Sequence, residues 1–442
     1  MFGYSMVQMV RANAHKLDWP LRETVLQLYK PFKWTPCFLH KFFETKLQNR
    51  KKMSVIIEFE EGCHETGFQM AGEVLQKEKR SKLKSRFNKI NCCSAEVTPS
   101  ALHSLLSECS NIRKVYLNRE VKALLDTATE ASHAKEVVRN GQTLTGKGVT
   151  VAVVDTGIYP HPDLEGRIIG FADMVNQKTE PYDDNGHGTH CAGDVASSGA
   201  SSSGQYRGPA PEANLIGVKV LNKQGSGTLA DIIEGVEWCI QYNEDNPDEP
   251  IDIMSMSLGG DALRYDHEQE DPLVRAVEEA WSAGIVVCVA AGNSGPDSQT
   301  IASPGVSEKV ITVGALDDNN TASSDDDTVA SFSSRGPTVY GKEKPDILAP
   351  GVNIISLRSP NSYIDKLQKS SRVGSQYFTM SGTSMATPIC AGIAALILQQ
   401  NPDLTPDEVK ELLKNGTDKW KDEDPNIYGA GAVNAENSVP GQ

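Results

Sequence analysis

No stretch of this 442-residue chain holds the roughly 20 consecutive apolar residues that a helix needs to span a bilayer, so the sequence offers no membrane-crossing helix. Its opening, "MFGYSMVQMVRANAHKLDWPLRETVLQLYK", lacks the uninterrupted apolar block of a secretory signal, because charges break it every few residues. Cysteines are few and odd in number: nine, at 37, 63, 92, 93, 109, 191, 239, 288 and 390. None form a C-x-x-C pair, which argues against a zinc ribbon, and several sit inside apolar runs such as "IVVCVAA". Scattered buried thiols suit a reducing compartment better than a disulfide framework, and a cytoplasmic location is expected. No repeat of 20 to 50 residues marks a solenoid.

Positive charge is scarce over most of the chain. The net charge is −15, yet residues 1–52 carry ten Lys/Arg against three Asp/Glu, and residues 53–125 carry eleven against nine. Everything after that is strongly acidic, which excludes nucleic acid as the main partner. The basic head also holds Trp19, Leu26, Leu28, Tyr29, Phe32 and Trp34, which read as packing residues, with a helix around "RETVLQLY".

What is present divides into three parts: a basic extension over 1–52, a small unit over 53–125 and a large one over 126–442. The second part reads strand "SVIIEF", helix "GFQMAGEVLQKEK", strands "SRFNKI" and "SAEVT", helix "TPSALHSLLSE" and strand "IRKVYLN". Thr98 is placed to cap the second helix, with Pro99 at its first position. That order, βαββαβ, predicts a small ferredoxin-like α+β domain. After the polar connector 126–147, the apolar runs "VTVAVVD", "NLIGVKVL", "IDIMSMSL", "IVVCVAA" and "KVITVGA" alternate with helical stretches. Strands apolar on both faces and separated by helices predict an α/β domain with a predominantly parallel sheet and helices on both faces. Ligands of such sheets bind beyond the carboxyl ends of the strands.

Three fragments fall there. Asp155 ends a strand in "VAVVDTGI", His187 opens a helix in "NGHGTHCAG", and Ser384 opens another in "GTSMATP". A serine hydroxyl needs an imidazole to take its proton, and the imidazole needs a carboxylate to orient it. Asn293 in "AAGN" follows a strand and is a candidate side-chain donor to an oxyanion, with the Ser384 backbone amide as a second. Hydroxyls therefore crowd the mouth of the apolar helix "TPICAGIAALIL" because chemistry takes place at that mouth. Pro388 confines the start of this helix to Thr383–Thr387.

These four motifs, in this order over residues 140–435, resemble the subtilisin-like serine proteases, in particular intracellular alkaline forms with an inhibitory propeptide. The resemblance implies a seven-stranded sheet and an endopeptidase acting on polypeptides. Asp155 would be the orienting carboxylate, His187 the base, Ser384 the nucleophile and Asn293 the oxyanion donor. "GSGT" (Gly225, Ser226, Gly227, Thr228) and "SLGG" (Ser257, Leu258, Gly259, Gly260) resemble the two segments that flank a bound substrate. Gly259 and Gly260 would leave the pocket open to large apolar side chains. Residues 53–125 resemble the propeptide, acting in cis, with self-cleavage in or just after "VKALLDTATEA", after Leu124 or Leu125. No cofactor is implied for catalysis. Structural calcium is common in the family, and Asp163 in "HPDL" matches a frequent ligand, although "SSGASSSGQY" at 197–206 replaces the loop that completes that site.

Other readings compete at single residues. His187 and His190 form an H-x-x-H metal pair on one helical face or, for His190, a structural contact. Asp183, Asp184 and "SSDDDT" at 323–328 read as solvated acids, and Cys191 reads as packing. For the whole chain, the alternatives are a silent peptide-binding scaffold, or an esterase or amidase using the same triad.

Overall fold

Turn chemistry and apolar patterning resolve into two units, Met1–Arg119 and Glu120–Gln442. The computed structural model describes residues 5–28, 44, 47–118, 120–123, 131–319, 327–419 and 424–441. Tyr29, Phe32, Trp34, Leu124, Leu125 and most of "SSDDDT" lie outside them.

The first unit starts with α1 (Ser5–Ala12) and α2 (Trp19–Gln27). It continues with β1 (Met53–Phe59), α3 (His64–Lys77), β2 (Lys82–Phe87), β3 (Cys92–Val97), α4 (Pro99–Glu108) and β4 (Ile112–Leu117). The sheet order β2-β3-β1-β4, antiparallel throughout, is the ferredoxin-like arrangement that the pattern predicts. Thr98 caps α4 by accepting from the Ala101 amide at 3.2 Å. The head is no loose tail. Met6, Met9, Val10, Leu17, Leu21 and Val25 share one core with Val55, Ile57, Leu102 and Val115. Buried Asp18 joins the two parts: its Oδ1 accepts from the Leu21 amide, capping α2, and from the Leu117 amide in β4. The helix therefore starts at Trp19, ahead of "RETVLQLY", on the Asp-Trp-Pro signal of a cap followed by an early proline.

The second unit opens with β5 (Glu120–Ala123). Its main sheet uses β6 (Thr150–Asp155), β7 (Ile168–Asp173), β8 (Asn214–Lys219), β10 (Ile253–Met256), β12 (Val286–Ala290), β13 (Ile311–Asp317), β14 (Thr328–Val329) and β15 (Ile347–Pro350). Two short strands lie off it, β9 (Ser226–Thr228) and β11 (Leu258–Gly259). The order is β14-β13-β12-β10-β6-β8-β7, with β15 on β13. Seven strands are parallel, and the short β14 adds an antiparallel eighth. The helices are α5 (His187–Ala196), α6 (Leu229–Asp245), α7 (Pro272–Ser282), α8 (Tyr363–Leu367), α9 (Thr383–Gln400) and α10 (Pro406–Asn415). A final small sheet orders β16 (Ile354–Leu357), β18 (Tyr377–Met380) and β17 (Arg372–Val373).

β6, β10 and β12 are buried along their full length, as strands covered on both faces must be. Helix α9 is buried from Thr383 to Leu398, which accounts for its apolar residues on every side. β6 is the point where the sheet grows both ways, through β8 on one side and β10 on the other. The crevice at its carboxyl end, just past Asp155, is where such a sheet receives a ligand.

Candidate active site

Asp155 and His187 meet at that crevice. The imidazole Nδ1 lies 2.8 and 2.9 Å from the two Asp155 carboxylate oxygens, and both side chains are fully buried. Asp155 Oδ1 also accepts from the Thr156 amide at 2.7 Å. Burial alone would push the imidazole pKa down, but the adjacent carboxylate overrides it and holds the ring well above its ordinary value.

Asp183 is the residue whose sequence reading changes most. It is buried, not solvated. Its Oδ1 accepts from Thr156 Oγ1 and from the Asn185 and Gly186 amides, at 3.0, 3.0 and 2.8 Å. Its Oδ2 accepts from the amide and hydroxyl of Thr189, at 2.9 and 2.6 Å. One carboxylate thus ties the residue after Asp155 to the first turn of the helix that carries His187. An acid four positions ahead of a helix start was the available signal, as a candidate cap for free amides. Asp184 is paired too, its Oδ1 lying 2.9 Å from Nζ of the buried Lys219.

Ser384 sits in the first turn of α9, behind Gly382. Its carbonyl would ordinarily accept from the amide of residue 388, but Pro388 has none. The freed carbonyl accepts from Ser257 Oγ at 2.6 Å and from Cys191 Sγ at 3.6 Å. Ser384 Oγ lies 3.3 Å from the Ser257 carbonyl. Cys191 Sγ is also 3.8 Å from His187 Nδ1, so one thiol touches both the histidine and the serine segments. Burial pushes that thiol up to about 12, which keeps it protonated.

Asn293 is held by its oxygen. Oδ1 accepts from the Thr383 amide at 3.0 Å and the Thr383 hydroxyl at 3.1 Å, leaving the Nδ2 hydrogens free to donate elsewhere. Of the two segments 225–228 and 257–260, Ser226, Gly227, Leu258 and Gly259 flank one further strand, while Gly260 pairs with Ser303. That strand is the chain's own β5, which pairs antiparallel with β9 (Lys122 opposite Ser226) and with β11 (Ala123 opposite Leu258). Its register runs toward Ser257, the neighbour of Ser384.

Metal binding divides by site. Asp155, His187 and Cys191 place ligand atoms within 4.8 Å of one another, but the histidine and aspartate already share each other's hydrogen bonds. His190 is taken: Nδ1 faces Asp194 Oδ2 at 2.9 Å and Nε2 faces the Phe378 carbonyl at 3.1 Å. Around Asp163 both carboxylate oxygens are engaged by protein donors. Oδ1 accepts from the Ser201 amide and hydroxyl, at 2.9 and 2.5 Å, and Oδ2 from Tyr377 OH at 2.5 Å and Ser197 Oγ at 3.3 Å. Hydroxyls supplied by 197–206 and β18 spend their protons on the carboxylate that would otherwise ligate a cation. A lone carboxylate so engaged is a poor fit to the roughly six to eight oxygens calcium takes.

Comparison with known proteins gives the chain its family. Residues 146–431 match the model of Peptidase_S8, the subtilase family. The chain is 35% identical over 349 residues to the thermostable alkaline protease of Halalkalibacterium halodurans, covering 79% of this chain and 83% of that protein. It is 39% identical over 293 residues to subtilisin Savinase of Lederbergia lenta, covering 66% of this chain and 91% of that protein. In fold it resembles fervidolysin of Fervidobacterium pennivorans, a keratinolytic enzyme related to subtilisin, with a TM-score of 0.69 at 21% identity; the match covers 89% of this chain and 61% of that one. A buried Asp155–His187 pair, with Cys191 linking the histidine's helix to the Ser384 carbonyl, thus sits in a chain that belongs to the subtilase family, as a subtilisin-type serine endopeptidase.

Proposed function

We propose that Ser384 attacks the scissile carbonyl of a polypeptide while His187 Nε2 takes the hydroxyl proton, with Asp155 holding the ring through Nδ1. The tetrahedral oxyanion receives hydrogen bonds from Asn293 Nδ2 and the Ser384 amide. His187 then returns the proton to the departing amine, and water, deprotonated by the same ring, hydrolyses the acyl-enzyme. The observation that carries this reading is the Asp155–His187 pair, buried and bonded through Nδ1, beside the helix start that bears Ser384. Stoichiometric labelling by a fluorophosphonate, lost in Ser384→Ala, is the expected result. Labelling that survives the substitution would point to another nucleophile, and an unlabelled parent to the silent scaffold.

Residues 53–125 act as an inhibitory propeptide in cis. Support comes from β5, which occupies the slot between β9 and β11 as a substrate strand would. The cut is expected after Leu124 or Leu125, and N-terminal sequencing of the purified protein beside Ser384→Ala checks it. Gly259 and Gly260 favour large apolar residues before the scissile bond, testable with a series of peptide anilides. Eight cysteines are free thiols among the described residues, which supports a reducing, cytoplasmic setting that cell fractionation can test. No helix of the described residues is long and apolar enough to cross a membrane.

A further inference from the structure

Between β16 and β18 lies a buried carboxylate that the chemistry above does not use. Asp365, in α8, is 2% exposed and is gripped by two arginines. Arg358 donates through Nε and Nη2 at 2.6 and 3.0 Å, and Arg372 through Nε and Nη2 at 2.7 and 3.0 Å. Each guanidinium engages both carboxylate oxygens, the strongest geometry available to such a pair. The Asn361 amide adds a bond at 2.9 Å. So strong a clamp secures a helix of five residues, too short to persist by itself.

What α8 touches explains the clamp. The Tyr363 amide donates to the Asp184 carbonyl at 2.8 Å, and the Ile364 amide to the Asn185 carbonyl at 3.0 Å. Ser359 Oγ donates to the Asp183 carbonyl at 2.7 Å. These three carbonyls form the turn that leads into His187. The turn ends at Gly186, whose φ of +109° is a conformation L side chains rarely adopt, and a Cβ there would lie 2.6 Å from Ser362 Oγ. A glycine with no side chain, directly before the base, is a soft pivot. Asp183 restrains the turn from inside, and α8 lies against its outer side.

We propose that the Arg358–Asp365–Arg372 clamp is a positioning device for His187, pressing α8 onto the Asp183–Gly186 turn so that the ring keeps its alignment. Asp365 acts through the turn and is no catalytic residue. The inference rests on His187 being the general base.

The test is the pH dependence of fluorophosphonate labelling and of peptide turnover in the purified protein, Asp365→Asn and Arg372→Ala. The second variant removes one fork from a partly exposed arginine and so spares the fold if the first does not. The expected result is a full labelling endpoint with a labelling rate lowered at least tenfold. In parallel, kcat falls while KM stays within twofold, and the ascending limb of the pH profile moves toward the ordinary histidine value near 6.5 as the ring loosens from Asp155. Parent rates and an unmoved limb in both variants would overturn the proposal. So would a raised KM at constant kcat, which would make α8 a substrate contact. No labelling of Ser384 in the parent would instead remove the base that the clamp is said to serve.

Discussion

Asn293 offers the most direct test of a single side chain. Its oxygen is committed to Thr383, so Asn293→Ala removes a donor already aimed by the fold, and kcat is expected to fall about 100- to 1000-fold with KM little changed. Steady-state kinetics on a peptide anilide measure both constants. His187 gives a signed pH prediction. The base must be neutral to work, and Asp155 holds its pKa well above the ordinary value, so activity is expected to rise with pH into the alkaline range. A kcat/KM profile that peaks in acid would contradict that. The same pair stabilises the fold at low pH, below the unfolded value near 6.5, and that contribution is lost as pH rises through the folded one. The pairing of Asp155 with His187 was legible because Asp155 ends a strand and His187 opens a helix, each within a short motif. Asp183 was not, because in sequence it is one acid in a polar run. Its burial depends on Thr156, which the fold brings to it from an earlier strand.

Among the elements, 197–206 and β18 carry the clearest consequence. Tyr377 donates to Asp163 and packs edge-on against Tyr206, with centroids 4.7 Å apart, while Ser201 closes the other carboxylate oxygen. Burial pushes the Asp163 pKa up, but these donors outweigh it and leave the carboxyl below its ordinary value, so its stabilisation is lost as pH falls through that depressed value. Tyr377→Phe is expected to cost about 1–3 kcal/mol, read as a drop in Tm. EDTA is expected to leave the Tm of the parent unchanged, and a chelator-induced fall would restore a cation to this site. Five strands were readable as apolar runs. β7 escaped because it is half exposed at the sheet edge, and β15 because it is four residues long and ends in proline. The seven-strand total came from family likeness, and periodicity alone would have missed it.

At the scale of the whole molecule, the head of the chain belongs to the first unit's core, not to a separate appendage. Leu21 is fully buried there, and Leu21→Ala is expected to destabilise that unit by about 2–5 kcal/mol. Hydrogen exchange in β1 and β4 of the full chain would register it, and unchanged protection would show that α2 contributes little. Composition suggested a break at residue 53, because charge and texture change there; shared burial of apolar side chains from both sides of that break cannot be seen in either half alone. The structure instead divides between Arg119 and Glu120, a few residues before the composition-based limit at Leu125. What β5 does follows from its connectivity. One covalent chain supplies all three strands of that small sheet, so on the function proposed above a foreign polypeptide would compete with a tethered rival at an effective concentration of about millimolar. Fresh, uncut enzyme should therefore be silent and wake after a lag. If each molecule releases itself, dilution leaves the lag unchanged; if molecules release one another, the lag lengthens in proportion.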